Sequence, residues 1–335
     1  MYVYAGIDEA GYGPMFGPLL VSRAVMGVAD LQPDPDGTGS PAMWDRLSKA
    51  VCRNLTDRKG RVAVNDSKKL HTPASGIKHL ERAVLGFGAM AGHRPQTVGQ
   101  WLDCLGEDGH HHLEAMPWYH PTPQRPWAAL PCAITEGELA VAKSLLTSAT
   151  QKAGVQTLDL AGAVVFEDRF NRMVAATRSK AATSFTFVAG HLKAIWDQHG
   201  TNSPTVIVDR QSGRMRYREL LAMTFPQTQL KVLEETASNS AYRLESPVGS
   251  EPQRAMNVRF EVDGDGRHMP VALASMASKY TRELLMARFK SWFTERAPQI
   301  KPTAGYGQDA KRFWQQLQPI LPELSIQPHQ LRRSR

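Results

Sequence analysis

Two apolar runs separated by a glycine- and proline-rich turn open the chain, and they constrain its fold more than any other stretch. "MYVYAGID" (1–8) is rich in aromatic and β-branched residues and predicts a strand. "FGPLLVSRAVMGV" (16–28) follows the turn and predicts its antiparallel partner. Between them "GIDEAGYGP" (6–14) sets two adjacent carboxylates, Asp8 and Glu9, before Gly11 and Gly13. Acids at the end of an apolar strand, followed by glycine, mark a place where something approaches the backbone closely. A metal ion, a phosphate and a sugar all fit that description.

The order of the remaining signals predicts an α/β chain. Residues 30–41 read as a loop, and 42–55 carry apolar residues at helical spacing. A helix is predicted over "IKHLERAVL", another over 136–152, a strand over 155–167 and a helix over 184–199. "PTVIVDRQSG" (204–213) predicts a buried strand ending in Asp209, followed by a helix over "MRYRELLAM". Strands are expected near 228–235, 240–245 and 256–262. A long helix is expected over 270–297 with proline at its start, and a short one over "QDAKRFWQQL". Residues 103–131 are dense in proline, glycine and histidine and read as a long surface insertion. A hairpin followed by alternating strands and helices implies a mixed sheet flanked by helices, whose chemistry gathers where strand ends meet helix termini.

Composition narrows the class. With 335 residues and 42% hydrophobic content the chain supports a sizeable core. It contains no apolar run of membrane-spanning length, and its N-terminal residues lack the pattern of a signal peptide. Cys52, Cys104 and Cys132 are too widely spaced for a disulfide framework and read as reduced thiols of a cytoplasmic protein. The net charge of +8 suits a polyanionic partner and an ordinary solvated surface alike.

The chemistry-bearing candidates are acids. Asp8 and Glu9 end the first strand, Asp209 ends "TVIVD", and Glu283 lies in the long helix. Carboxylates meeting at one sheet edge repel and raise one another's pKa, and a divalent metal resolves this most simply. Oxygen donors point to Mg²⁺ or Mn²⁺ rather than zinc, and two such ions together activate water and stabilise the leaving oxygen of a phosphodiester. Neighbouring strand residues face opposite sides, so Asp8 and Glu9 share a site only if the strand ends or twists there. Asp8 capping the turn with Glu9 in solvent is the plainer alternative. Lys279 and Glu283 are also i, i+4 neighbours, as in a surface ion pair. "NDSKKL" (65–70) offers Ser67, Lys68 and Lys69 to phosphates, or forms a solvated basic loop. His110, His111 and His112 suit a mobile loop better than a tetrahedral site. Cys104 lacks a pattern that would activate it. Trp118, Tyr119 and Trp127 fit base stacking or loop packing.

Taken together and in order, these motifs resemble the type 2 ribonucleases H, ribonuclease HII and HIII. "GIDEAGYGPMFGPLLV" looks like the opening strand-turn-strand of that family and "NDSKKL" like its second motif. "VIVDRQ" looks like the strand of its third acid, "PVALASMASKYTRELLM" like the helix of its fourth, and "AGYG" (304–307) like a late turn. The resemblance implies a ribonuclease H-like fold with a mixed five-stranded sheet over 1–297, carrying insertions near 28–60 and 90–131. A helical extension and basic tail follow over 298–335. It implies a metal-dependent endonuclease that cuts the RNA strand of RNA/DNA hybrids and leaves 3′-hydroxyl and 5′-phosphate ends. Asp8, Glu9, Asp209 and Glu283 would hold two Mg²⁺ or Mn²⁺ ions. Gly11, Tyr12 and Gly13 would meet the 2′-hydroxyl, and Ser67, Lys68 and Lys69 the phosphates. The implied partner is an RNA/DNA hybrid or ribonucleotide-containing duplex DNA, bound by a monomer. Ribonuclease HII carries Gly-Arg-Gly where this chain has Gly11-Tyr12-Gly13, while glutamate at 283 and "FGP" (16–18) are more similar to ribonuclease HIII. A hybrid-binding protein without catalysis, or a nuclease of altered substrate choice, are the alternatives.

Overall fold

The two opening runs form the expected hairpin in the computed structural model, which describes residues 1–32, 39–106, 113, 116–210 and 213–334. β1 (Tyr2–Ala10) and β2 (Leu19–Val28) pair antiparallel from Tyr2↔Val28 to Ala10↔Leu20. Then come α1 (Met43–Arg46), β3 (Val51–Cys52), β4 (Val62–Ala63), α2 (Ser67–Leu70), α3 (Lys78–Met90), α4 (Val98–Leu105) and α5 (Glu136–Lys152). β5 (Val155–Val165), α6 (Glu167–Thr177), α7 (Lys180–His199), β6 (Thr205–Asp209) and α8 (Arg218–Thr224) follow. β7 (Gln229–Glu235), β8 (Asn239–Glu245), β9 (Ala255–Glu261), α9 (Met269–Arg296), α10 (Gly307–Leu317) and α11 (Pro328–Leu331) complete the order.

The sheet is mixed, as expected, but has seven strands rather than five, in the order β5-β2-β1-β6-β9-β8-β7. β1, β6 and β9 run parallel at its centre, while β7 and β8 extend it by antiparallel pairing outside β9. β7 is an edge strand, and its charged, largely exposed sequence QLKVLEE suits that place.

Side-chain alternation along β1 assigns the layers. Tyr2 and Tyr4 join the apolar cluster built with α3, α5 and α9. Val3, Ala5 and Ile7 join the opposite cluster with α6, α7 and α8. A Cβ on Gly6 would sit 2.1 Å from the backbone nitrogen of Val271, so the start of α9 rests directly on β1. Pro270 opens that helix without losing an internal hydrogen bond, and its small residues through Ser278 allow the close approach that their size predicts.

Two expectations are corrected. The helical spacing of 42–55 yields only the single turn of α1, because β-branched Val51 and its neighbour Cys52 pair in parallel with Val62 and Ala63. Residues 90–131 are not simply a surface loop: α4 lies within them, and Trp118 and Tyr119 are fully buried. Their rings pack against Phe289, Trp292 and Phe293 of α9 and Phe166, which settles their role as packing rather than base stacking. Phe313 of α10 and Trp314 extend the same cluster onto Phe16 in the β1–β2 turn. His110, His111 and His112 lie outside the described residues.

Candidate active site

The parallel register of β1 and β6 pairs Ile7 with Val208, so Asp8 and Asp209 follow at the same end of neighbouring strands. Both sit one residue beyond side chains that face α6–α8, and so both face α9. Asp8 is 7% exposed and accepts the Glu9 N–H at 2.6 Å. Ser278 of α9 donates to the Asp8 backbone carbonyl at 3.1 Å and to Ser22 at 2.8 Å, tying helix, β1 and β2 together. Asp209 accepts the Gly264 N–H at 2.8 Å, which fixes the 3₁₀ turn Gly264–Gly266 beside it.

That turn carries the acid that sequence reading did not single out, Asp265. Burial pushes the Asp8 carboxyl well above the usual carboxylate range, reinforced by the charges of Asp209, Glu9 and Asp265. Asp209 is pushed up to about 6, first by burial and then by Asp265 and Asp263, with the Gly264 N–H and Lys68 opposing. Asp265 is raised by burial and by Asp66, with Lys68 again opposing. Two strand-end acids and one turn acid thus act on one another's charge, with Lys68 opposing the rise at Asp209 and Asp265. Raised pKa values of this origin are what concentrated negative charge at low dielectric produces.

Glu9 and Glu283 are placed differently. β1 continues to Ala10, with Glu9 paired opposite Val21, so Glu9 faces the layer opposite to Asp8. Its charge acts there on Tyr217. Glu283 accepts from Lys279 at 2.8 Å, the i, i+4 pair. Burial raises its pKa, but Lys279, His71 and Arg282 outweigh this and hold it low. It is not among the groups acting most strongly on Asp8 or Asp209.

The basic motif and the glycine turn flank the acids. Asp66 caps α2 by accepting the Lys68 N–H at 2.8 Å. Ser67 is buried, 3.1 Å from Ser275 of α9, and acts as an anchor, while Lys68 and Lys69 are exposed. Gly11 adopts φ +85°, and a Cβ there would strike the Pro18 carbonyl at 2.5 Å. Tyr12 packs against the apolar cluster of α6–α8, and a Cβ on Gly13 would meet nothing within 4 Å.

A second basic segment was also missed. Tyr217 stacks on Phe260 at 3.6 Å and its N–H donates to the Tyr242 hydroxyl at 2.8 Å, while Ser240 donates to the Met215 carbonyl at 2.6 Å. These contacts pin the stretch carrying Arg214, Arg216 and Arg218. Tyr217 is raised by burial, lowered by Arg210 and Arg214, and raised again by Glu9, which places Arg214 on the Glu9 side of the acids. The sequence signal was present in "RMRYR", alternating arginines directly after the Asp209 strand.

Among the described residues, no three His, Cys, Asp or Glu side chains stand close enough to form a ready-made metal cage. The donor chemistry of Asp8, Asp209 and Asp265 still fits a hard divalent cation: all ligand atoms are oxygens, and their mutual repulsion is what such a charge relieves.

No family model matches the chain, and no curated protein matches it. It is similar to a chain of the PCNA:RNase HII complex from Archaeoglobus fulgidus, at 15% identity and a TM-score of 0.42, over 99% of this chain and 94% of that one. Ribonuclease H2 from Pyrococcus horikoshii OT3 is similar at 14% identity and a TM-score of 0.43, over 98% and 92%. Bst-RNase HIII in complex with Mn²⁺ is similar at 12% identity and a TM-score of 0.41, over 99% and 66%. These solved structures are type 2 ribonucleases H. Among the described residues no helix is long and apolar enough to cross a membrane.

Proposed function

We propose that the chain is a metal-dependent endonuclease that cuts the RNA strand of RNA/DNA hybrids and leaves 3′-hydroxyl and 5′-phosphate ends. The observation that carries this reading is the placement of Asp8 and Asp209 at the same end of two parallel strands, with Asp265 in the turn that Asp209 holds, each raised by burial and by its acidic neighbours. Asp8, Asp209 and Asp265 would hold Mg²⁺ or Mn²⁺, with Glu9 at the rim. Bound there, the ions would supply an activated water and charge compensation at the leaving oxygen.

The chain's own residues bind and orient. Lys68, exposed beside the acids, meets the phosphate nearest the cut, with Lys69 next to it on α2. The open side of the turn at Gly13 admits a ribose, so its 2′-hydroxyl meets backbone rather than a side chain. Arg214 acts on Tyr217 together with Glu9, and with Arg216 and Arg218, which line the same surface pocket, it takes further phosphates of the duplex. Ser275 and Ser278 hold α9 against β1, keeping Asp8 in place.

The test uses labelled RNA/DNA hybrid, DNA with one embedded ribonucleotide, and all-DNA duplex, each with Mg²⁺, Mn²⁺ or chelator. Metal-dependent cutting confined to ribose-containing strands is expected. Hybrid binding with no cutting under any metal would make the chain a binding protein, and cutting of all-DNA duplex would remove the role given to the glycine turn.

A further inference from the structure

A turn containing Gly11, Gly13 and Gly17 has little stiffness of its own, since glycine gives the backbone its widest freedom. Here its groups are held from outside. The Arg333 guanidinium donates through Nη1 to the Gly11 carbonyl and through Nη2 to the Tyr12 carbonyl, the latter at 3.0 Å. The Arg333 N–H donates to the Met15 carbonyl at 2.9 Å, and the Met15 N–H to Gly305 at 2.8 Å. Arg282 donates to the Phe16 carbonyl at 3.0 Å, and Glu167 accepts the Gly17 N–H at 2.9 Å. Backbone groups before and after Gly13 are thus clamped, while a Cβ at Gly13 itself would meet nothing within 4 Å.

Arg333 is itself held for this task. It is 2% exposed, with its guanidinium 3.8 Å from the centre of the Phe170 ring on α6. Asn171, one residue further along α6, donates to the carbonyls of His329 at 2.6 Å and Arg332 at 2.8 Å, and accepts the Ser334 N–H at 2.6 Å. The planar guanidinium presents two donors in a fixed geometry, so two successive carbonyls are set together where a lysine would reach one.

We propose that Arg333 is a positioning residue: by fixing the Gly11 and Tyr12 carbonyls it sets the shape of the turn and hence how tightly the turn takes the substrate backbone. This rests on the reading of that turn as substrate-facing. Asp8 stands on β1 just before this turn but is held separately, through Ser278 of α9.

The test compares Arg333→Ala, Arg333→Lys and Asn171→Ala in the full chain, by hydrogen exchange of the free protein and by hybrid cleavage kinetics. Arg333→Ala is expected to speed exchange in residues 11–17 at least ten-fold while β1, β6 and β9 keep their protection. KM for the hybrid is expected to rise at least ten-fold with kcat within three-fold. Arg333→Lys and Asn171→Ala should be intermediate, and methylguanidinium should restore part of the Arg333→Ala loss. Unchanged exchange in 11–17, or an unchanged KM, would overturn the proposal. So would loss of protection across the whole sheet with a collapse of kcat, which is the mark of a core residue. Should the wild-type chain cut no hybrid, the substrate reading fails, and the exchange measurement still decides whether Arg333 holds the turn.

Discussion

Asp265 and Glu283 are acids at the two ends of the same neighbourhood, one in the turn before α9 and one within it. Asp265 contributes to the raised pKa of both Asp8 and Asp209, whereas Glu283 is neutralised by Lys279 at 2.8 Å. Removing a charge that acts on the reacting centre costs far more than removing half of a partly exposed ion pair. Asp265→Asn is therefore expected to lower kcat on hybrid by about 100-fold or more, as expected for a lost electrostatic contribution. Glu283→Gln should stay within about ten-fold, its cost being that of a modest ion pair. Steady-state kinetics on one labelled hybrid compares them. The reverse ranking would return the fourth acid to the helix. Asp8 and Asp209 were legible because each ends an apolar run. Asp265 was not, because "DGDG" reads as ordinary turn chemistry until the pairing of β9 with β6 brings it to Asp209.

Elements with a strong local signal were read correctly, and those governed by distant contacts were not. α5 carries its own capping box, with Thr135 and Glu138 serving each other's backbone. α6 was overlooked, since its sequence EDRFNRMVAAT is polar apart from the few residues that reach the core. The stretch around Trp118 reads as surface because proline and histidine surround it, yet Trp118 and Tyr119 are fully buried. Trp118→Ala should cost about 3–5 kcal/mol by the usual penalty for truncating a buried aromatic ring. Gly6→Ala is expected to be comparably damaging, on the order of several kcal/mol, because backbone at 2.1 Å has nowhere to go. Denaturant melts measure both. A loss under about 1 kcal/mol for Gly6→Ala, within ordinary surface variation, would mean that α9 is not seated on β1 as described.

Across the molecule, Glu167 links three parts that lie far apart in sequence. It accepts from Gly17 of the turn and from Tyr119 of the buried wedge, and it sits at the start of α6 with Arg333 nearby. Burial pushes its carboxyl from 4.5 up to about 7, against the hydrogen bonds and Arg333 that favour its charge. The folded state therefore holds a proton that the unfolded chain releases above pH 4.5. Its contribution to stability is full below that value and is lost as pH rises through about 7. Relative to Glu167→Gln, the wild-type chain should lose on the order of 3 kcal/mol across this window. Urea melts of the two proteins at several pH values read the difference, and a constant difference would place Glu167 outside this linkage.

On the proposed function, the carboxylates at the ends of β1 and β6 and in the turn after β9 would form a hydrolytic centre for ribose-containing strands. The most direct measurement is cleavage of a labelled RNA/DNA hybrid by the wild-type chain and by Asp8→Asn, at matched hybrid occupancy, in Mg²⁺ and in chelator. Cutting of the RNA strand by the wild type in Mg²⁺ alone, abolished in Asp8→Asn while hybrid binding persists, is the predicted result. Equal cutting by Asp8→Asn, or cutting that survives chelator, would contradict it.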